Sequence, residues 1–401
     1  MTHQGLWLAS LVTGALLGLG ATDSHAENVN IAFLNPLSGS NADAGQQDLA
    51  AAKLAVEDIN NAGGIKALHG ATINLVISDT TSDPKSAASV AQRVFSLEKL
   101  AGAVGTGISG LTMPILPVAE RSQIPILTNS VNDQITALGY KYTFQVTPKG
   151  SQFGDTQVQF LKDLNSKYSL GLKNVAIVYE NSGYGVSTAS SIKEVAASAG
   201  LNIALYEAYP HGFTDASSLI TKIRASGAQV LFPVAYTTDA KLIINTMKQM
   251  NVHPVIIGGG AGFLWPAFAD EMGDAVNGFV SVASWNWDSK SISEDPALAS
   301  ITQRYKQKNG TFMTEHAGPT YTAVRMLAVA MEKAKSADPK KVRDALASLD
   351  DKEIGAFMQP GEVKFDQTGW NSTVHPVMVQ WQNGMPRTVF PAGDAVNSFQ
   401  R

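Results

Sequence analysis

The 401-residue chain contains no cysteine, and this absence excludes several kinds of chemistry. Disulfide bonds, thiolate metal ligands and a thiol nucleophile all require cysteine, so none of them is expected. A form of the protein that is lipid-anchored through cysteine is not expected either. Basic charge is also scarce, because 30 Lys and Arg stand against 34 Asp and Glu, which leaves a net charge of −4 at pH 7. Nucleic-acid binding needs a basic surface, so we expect no nucleic-acid partner.

Histidine is sparse, and the seven that are present show neither H-x-x-x-H nor H-E-x-x-H spacing. We therefore predict no metal site and no cofactor. The stretch GISGL departs from the G-x-S-x-G pattern of a nucleophile elbow, because Leu111 stands where the last glycine belongs. The sequence favours a protein that is not an enzyme, with a secreted hydrolase or an oxidoreductase as the alternative.

A long hydrophobic run is missing everywhere except near the N-terminus. Residues 6–20, LWLASLVTGALLGLG, are apolar but shorter than the ~20 residues that span a bilayer. They are followed by Ser24-His25-Ala26, a small-x-small pattern of the kind that signal peptidase cleaves. We predict a cleavable signal peptide over residues 1–26, with a buried N-terminal helix as the alternative interpretation.

Strand and helix patterns alternate along the next 230 or so residues, in two series of about four to five units each. The first series starts at NVNIAFLNPL and ends at YTFQVTPKG, with a helix starting at Asp83-Pro84 and a short helix between its third and fourth strands. The second series starts near residue 150 and ends at HPVIIGG. Such alternation predicts β-α-β units and parallel sheets, and two series predict two α/β lobes.

The last hundred residues have a different pattern. Long helices are predicted near 296–309 and 318–350. The segments GEVKFD and HPVMVQWQNGMP follow them, and together they read as a hairpin-like closing segment.

The stretch GTGISG, Gly105 to Gly110, has the G-x-G-x-x-G spacing of dinucleotide-binding loops. It follows the third strand rather than the first, and the next strand ends in LTNS without the acidic residue that would bind a ribose, which disfavours NAD. Glycines at a strand-to-helix turn still leave backbone N–H groups open to an anion, and Ser109 adds a hydroxyl. With the polar stretch TNSVND after the next strand, this pattern predicts a pocket for a carboxylate or a phosphate.

The order of several segments resembles a known family. The segments are IAFLNPLSG, AAAKLAVEDINNAGGI, SDTTSDPKSAASVAQRVF, VYENSGYGVS, YTAVRMLAVAMEKA and VQWQNG. Together they resemble the type I periplasmic solute-binding proteins of ABC importers, in the leucine/isoleucine/valine-binding branch. The resemblance covers essentially the whole mature chain. It implies an α/β fold of two Rossmann-like lobes joined by three hinge crossovers, with residues 27–148 and 282–375 in the N-terminal lobe and residues 149–281 and 376–401 in the C-terminal lobe.

The same resemblance implies a function. A protein of this kind captures a small carboxylate-bearing solute in the cleft between its lobes and delivers it to a membrane permease. The solute would be an amino acid, or a related aromatic acid or amide. A periplasmic location and a monomeric state are also implied. The alternative is a soluble periplasmic ligand sensor with the same fold.

The resemblance further implies which residues contact the solute. Eight positions match ligand contacts of the family: Ser109, Gly110, Ser130, Asn132, Tyr184, Tyr236, Gly260 and His316. The serine at the strand-three turn holds the solute's carboxylate in the family. The two tyrosines belong to the second lobe, and a tyrosine ring offers an apolar face together with a hydroxyl for a polar group.

One matched position departs from the pattern of amino-acid binders. Those proteins commonly carry an acidic residue where this chain has Gly260, and the acid pairs with the solute's ammonium. A buried ammonium without a counter-charge is costly. Either Asp239 or Asp133 therefore replaces the acid, or the solute has no ammonium. Three tryptophans near the second crossover either form a wall for an aromatic solute or pack in the core: Trp265, Trp285 and Trp287.

Overall fold

The computed structural model describes residues 28–355, 357–358 and 361–401. The predicted signal peptide, residues 1–26, lies outside the described residues. Across the described ranges, no helix combines the length and the apolar character that crossing a membrane would require.

The first sheet contains five strands, all parallel, in the order β2-β1-β3-β4-β5. The strands are β1 (Val29–Asn35), β2 (Ile73–Asp79), β3 (Leu100–Val104), β4 (Ile126–Thr128) and β5 (Thr143–Gln145). Every residue of β3, β4 and β5 is buried. Strands buried on both faces are typical of a parallel sheet covered by helices on each side.

The helices between these strands are α1 (Ala42–Asn61), α2 (Pro84–Leu97), α3 (Ser109–Ser122) and α4 (Gln134–Ala137). Helix α2 begins as predicted, with the Asp83 carboxylate accepting from the Ser86 amide at 2.8 Å and Pro84 in the first turn. Helix α3 is longer than expected, because it continues through Pro114 and Pro117. Burial of its apolar face compensates for the backbone hydrogen bonds that the prolines cannot donate.

The second sheet starts with five more parallel strands, β6 (Asn174–Glu180), β7 (Asn202–Tyr209), β8 (Val230–Val234), β9 (Val255–Gly258) and β10 (Val280–Ala283). Their helices are α5 (Gly150–Tyr168), α6 (Gly183–Ser198), α7 (Ser217–Ser226), α8 (Thr237–Gln249) and α9 (Pro266–Met272). The predicted α/β fold with parallel sheets is therefore confirmed.

The helices after β10 are α10 (Lys290–Ser293), α11 (Pro296–Asn309), α12 (Ala317–Ala334), α13 (Pro339–Ala347) and α14 (Lys352–Gly355). The single long helix predicted near 318–350 is wrong, since α12 and α13 are separate. Lys335 ends α12 in a left-handed conformation with φ 48°, and Asp338 caps α13 ahead of Pro339. The residue before a proline disfavours helical geometry, which explains the break.

The closing segment also differs from the prediction. In the stretch GEVKFD, β12 (Val363–Lys364) pairs with β11 (Asp350–Asp351) in a separate two-stranded sheet. The hairpin consists of β13 (Val377–Gln382) and β14 (Met385–Phe390), which extend the second sheet to the order β14-β13-β10-β9-β8-β6-β7. Asn383 and Gly384 both have positive φ, as a tight hairpin turn requires.

The chain passes between the two sheets three times, after β5, after β10 and before β13. The segment from α11 to α13 packs on the first sheet, where α12 contacts α1 and β3. Each sheet's strands fall within the residues predicted for one lobe, except that β10 continues two residues past the predicted boundary at 281. The lobe boundaries themselves stay a prediction. Residues that follow the carboxyl ends of strands in both sheets lie together around one small cavity.

Candidate functional site

The loop GTGISG connects β3 to α3, and packing explains two of its three glycines. Gly105 has φ 134°, and a Cβ there would lie 1.8 Å from the Leu34 carbonyl oxygen. A Cβ on Gly107 would lie 2.3 Å from Nδ1 of His316. Gly110 has open space where its Cβ would be. The first two glycines therefore allow the loop to approach neighbouring groups closely, and no pyrophosphate is needed to account for them.

Hydroxyl groups beneath this loop hold its shape. The Thr106 carbonyl accepts from Thr128 Oγ1 at 2.7 Å and from Ser130 Oγ at 2.8 Å. Thr112 Oγ1 lies 2.7 Å from Ser130 Oγ and 2.8 Å from Thr106 Oγ1. All four side chains are buried. Because its hydroxyl is engaged here, Ser130 supports the loop from below.

A small cavity lies between the two sheets at the carboxyl ends of their strands. Its free volume is about 10 Å³, which is room for roughly one water molecule. The lining residues are Gly107, Ser109, Val131, Phe153, Tyr184, Tyr236, Ala261, Ser284, Glu315 and His316. Ligands of open α/β sheets bind at this edge, so the cavity is the candidate site.

Four of the eight predicted site residues line this cavity: Ser109, Tyr184, Tyr236 and His316. The other four do not. Gly260 lies behind the wall, 3.4 Å from the Tyr184 hydroxyl as measured from an added Cβ. Asn132 accepts a hydrogen bond from Ser187 of α6 at 3.1 Å, so it joins the two halves beside the cavity. Gly110 lies in the first turn of α3, beyond the lining residues.

Ser109 combines three properties of an anion-binding residue. It is the first residue of α3, where unpaired backbone N–H groups and the helix dipole favour negative charge. Its side chain is 1% exposed and lines the cavity. Among the described residues, its hydroxyl has no hydrogen-bond partner. A buried polar group without a partner is costly, so an arriving acceptor would be stabilised here.

Tyr184 and Tyr236 form the opposite wall. Their rings lie 5.0 Å apart at 44°, and the Tyr184 hydroxyl donates to the Gly259 carbonyl at 2.6 Å. Burial and the nearby Glu180 carboxylate raise the pKa of Tyr236 well above its usual range, and the Ser109 backbone amide opposes that rise. The Tyr236 hydroxyl therefore lies across the cleft beside the start of α3.

Glu315 is a cavity residue that sequence reasoning missed. Its Oε2 accepts from the Ser284 amide at 2.8 Å, while its buried Oε1 has no hydrogen-bond partner in the part of the chain that the structure describes. Burial raises the pKa of this carboxyl to about 8, and the Ser284 amide offsets the rise only in part. The acid is visible in the stretch TEHAG, but an acid near a helix start usually indicates capping, so the sequence alone does not distinguish it as a binding residue.

His316 is neutral in this site. Burial lowers its pKa to about 4, and none of the described residues forms a hydrogen bond with its Nδ1. The ring packs edge-to-face on Trp265, with centroids 5.1 Å apart, and its other side meets Gly107. The Asn129 amide donates to the His316 carbonyl at 3.1 Å and fixes the start of α12.

None of the three tryptophans is a lining residue of the cavity. Trp265 lies behind His316, as described. Trp285 is fully buried, and its indole N–H donates to the Phe357 carbonyl at 2.6 Å. Trp287 stacks under Arg387, 4.8 Å from the guanidinium. Apolar lining comes instead from Val131, Phe153 and Ala261.

The two acids considered as replacements at position 260 lie elsewhere. Asp133 accepts from the Ser151 amide at 3.1 Å, next to the Asn132 contact. Asp239 lies behind Tyr236 with Glu180, and His211 approaches both carboxylates at 3.9 and 3.6 Å. Burial raises the pKa of Asp239 to about 6, against the opposing charge of His211. Neither acid lines the cavity.

Replacing Gly107 with alanine should destabilise the protein by about 1–3 kcal/mol, since the added methyl group collides with a His316 ring that Trp265 holds in place. Gly110→Ala, three residues away in the same loop, is the matched control. Alanine is favoured over glycine in a helix, so that variant should be unchanged or slightly more stable. Urea unfolding measures both, and equal stabilities for the two variants would contradict the close packing of Gly107.

Comparison with known proteins identifies the family to which this sequence belongs. A family model described as periplasmic binding protein matches residues 28–384. The chain is 30% identical over 399 residues to Leu/Ile/Val-binding protein homolog 7 of Brucella suis biovar 1, with 98% of each chain covered.

Solved structures with the same fold include two with bound ligands. One is the branched-chain amino acid transporter substrate binding protein of Streptococcus pneumoniae in complex with isoleucine, with TM-score 0.78 and 25% identity, covering 91% of this chain and 100% of that one. The other is an ABC transporter solute binding protein of R. palustris in complex with benzoate, with TM-score 0.75 and 18% identity, covering 92% and 97%. By sequence over nearly its whole length, and by fold, the chain belongs to the periplasmic binding protein family, alongside Leu/Ile/Val-binding protein homologs.

Proposed function

We propose that this protein is the substrate-binding component of an ABC importer, and that it carries a small carboxylate-bearing solute to a membrane permease. The observation that carries the proposal is the unpartnered Ser109 hydroxyl at the start of α3, buried in a cavity between the two sheets. In this proposal a signal peptide over residues 1–26 directs the chain to the periplasm, where it works as a monomer.

The solute's carboxylate would accept from the Ser109 hydroxyl and from N–H groups at the start of α3, with the Tyr236 hydroxyl reaching it from the opposite wall. The free volume of about 10 Å³ is too small for an amino acid, so the walls must separate for a solute to enter. Three connections between two rigid sheets permit such a hinge motion. Closure around the solute would then produce the form that the permease recognises.

The cavity supports binding rather than catalysis. Ser109 and His316 both line it, but the Ser109 hydroxyl and the His316 Nδ1 each lack a hydrogen-bond partner. A nucleophilic serine needs a base within hydrogen-bonding reach, and a histidine with a pKa of about 4 is a poor base at neutral pH. We therefore propose that the protein is not an enzyme. A periplasmic ligand sensor would use the same cavity. Measuring uptake of the solute in a deletion strain separates the sensor role from the transport role.

Ser109→Ala should weaken binding of the carboxylate solute by about 1–3 kcal/mol, since it removes a buried donor. The mature protein is first screened by thermal shift against amino acids, aromatic acids, amides and other small carboxylates, and titration calorimetry then compares variants. Ser122→Ala, at the far end of α3, is the matched control and should bind as the wild type does.

Two results would remove this proposal. If no solute raises the melting temperature while a panel of hydrolase substrates is turned over, the binding role is wrong. If Ser109→Ala binds with unchanged affinity, the carboxylate lies elsewhere. Transport is tested separately by deleting the gene that encodes this protein and measuring uptake of the solute that binds. Loss of uptake is expected for a transport component, and unchanged uptake is expected for a sensor.

A further inference from the structure

We propose that Glu315 is the counter-charge for a cationic group on the solute, so that this protein selects an amino acid over the matching carboxylic acid. This inference rests on the proposed function, because it concerns the same cavity and a solute whose carboxylate binds Ser109.

The carboxylate of Glu315 is arranged to receive a donor. One oxygen, Oε2, is held by the Ser284 amide at 2.8 Å, which fixes the group's orientation. The other oxygen, Oε1, is buried and finds no hydrogen-bond partner within residues 28–355, 357–358 and 361–401. The Ser284 hydroxyl donates to the Glu315 carbonyl at 3.0 Å and anchors the backbone as well. The side chain is 4% exposed, so bulk water does not replace the missing partner.

The described residues that line the cavity provide no cation to pair with this acid. The lining residues include no lysine and no arginine, and the one histidine, His316, is neutral. On the facing wall, burial, Tyr236 and Glu315 all raise the pKa of Tyr184, so the Glu315 carboxylate and that wall are near neighbours. An ionised Glu315 therefore requires a cation that arrives with the solute.

A solute with only a carboxylate brings no cation to this acid. Glu315 then keeps its proton below pH 8, and its carboxyl gains no ion pair from the solute. An ammonium, with three donors, satisfies Oε1 and the charge together. The other candidate acids are excluded by position. Gly260 has no side chain, and the Asp133 carboxylate accepts a hydrogen bond from the Ser151 amide. Asp239 lies near Tyr236 and is not a lining residue of the cavity. Glu315 can therefore pair with the solute's ammonium in place of the acid that amino-acid binders carry at the position of Gly260.

The test uses solute pairs that differ only in the ammonium: leucine with 4-methylpentanoate, and phenylalanine with 3-phenylpropanoate. Titration calorimetry compares wild type, Glu315→Gln and Asp239→Asn. For the wild type we expect the amino acid of the better pair to bind on the order of thirty-fold tighter than its partner, or more. In Glu315→Gln this preference should vanish, while Asp239→Asn should retain it.

A second measurement is the number of protons that Glu315 releases when the solute binds. Below pH 8 the buried carboxyl of Glu315 holds a proton, and an ammonium beside it would expel that proton. Calorimetry of wild type at pH 7 in buffers of different ionisation enthalpy should therefore show close to one proton released per amino acid bound. Glu315→Gln should release none, and a residue with a merely structural role would not produce this difference.

Three other outcomes would contradict the inference. If the wild type binds the deaminated acid as well as the amino acid, the inference is wrong and the carboxylate role of Ser109 stands. If Glu315→Gln keeps the wild-type preference, another group holds the ammonium. If no amino acid and no carboxylic acid binds anywhere in the thermal-shift screen, the proposed function fails together with the inference. The wild-type comparison does not depend on how well any variant folds.

Discussion

Between pH 5 and pH 8.5, the free energy of unfolding of wild type should fall by several kcal/mol relative to that of Glu315→Gln. Burial raises the pKa of Glu315 from its ordinary 4.5 to about 8, and each unit of such a difference corresponds to about 1.4 kcal/mol. Below pH 4.5 the carboxyl is protonated in both the folded and the unfolded protein. Above that, the unfolded chain gains by ionising while the folded chain does not, so stability is lost as pH rises from 4.5 to the folded value of about 8 and then levels off.

The groups that face Glu315 do not reproduce this effect. His316 has a pKa of about 4, so it stays neutral across the range, and Tyr184 titrates far above it. Urea unfolding at pH 4.5, 6.5 and 8.5 measures the difference between wild type and variant. A constant difference across these pH values would mean that Glu315 is already ionised in the folded protein.

Asp48 supplies a matched control in the same molecule. It lies in α1, is 1% exposed and is not a lining residue of the cavity, and burial raises its pKa to about 8 as well. Asp48→Asn should therefore show the same pH signature in unfolding. It should leave proton release on solute binding unchanged. Comparing Asp48→Asn with Glu315→Gln therefore distinguishes a buried acid that only destabilises the fold from one that contacts the solute.

Replacing Gly185 with alanine should cost more than about 3 kcal/mol, the upper part of the range for overpacking. A Cβ at this position would lie 1.8 Å from the Glu180 carbonyl oxygen and 2.8 Å from its carbon. Backbone atoms at the end of β6 cannot rotate out of the way as a side chain does. The start of α6 must therefore move, and Tyr184 on its first turn moves with it.

Urea unfolding measures the stability of Gly185→Ala, and near-ultraviolet circular dichroism reports on the packing of Tyr184. Gly110→Ala is again the control, because it adds the same methyl group at a helix start with open space around it. A loss below about 1 kcal/mol would show that α6 is not seated against the Glu180 carbonyl.

Local patterns were enough to predict most of the fold. Alternating apolar segments and caps such as Asp83-Pro84 are read from neighbours in the chain, and the structure has the predicted strands in two parallel sheets. The errors lie where short-range signals compete. The proline after Asp338 divides the predicted helix near 318–350, and the stretch GEVKFD pairs with β11 instead of joining the hairpin of β13 and β14.

The sequence by itself determined the class of fold, the exclusion of thiol chemistry and the placement of Ser109 at a helix start, because each depends on residue types and local spacing. Tertiary structure alone decided which side chains share the cavity. Ser109, Tyr236 and Glu315 lie far apart in the chain, with 127 positions from the first to the second and 79 from the second to the third, and they meet only when two sheets close on one another. Burial is a property of that closure, so the unpartnered oxygen of Glu315 and its raised pKa had no counterpart in the sequence.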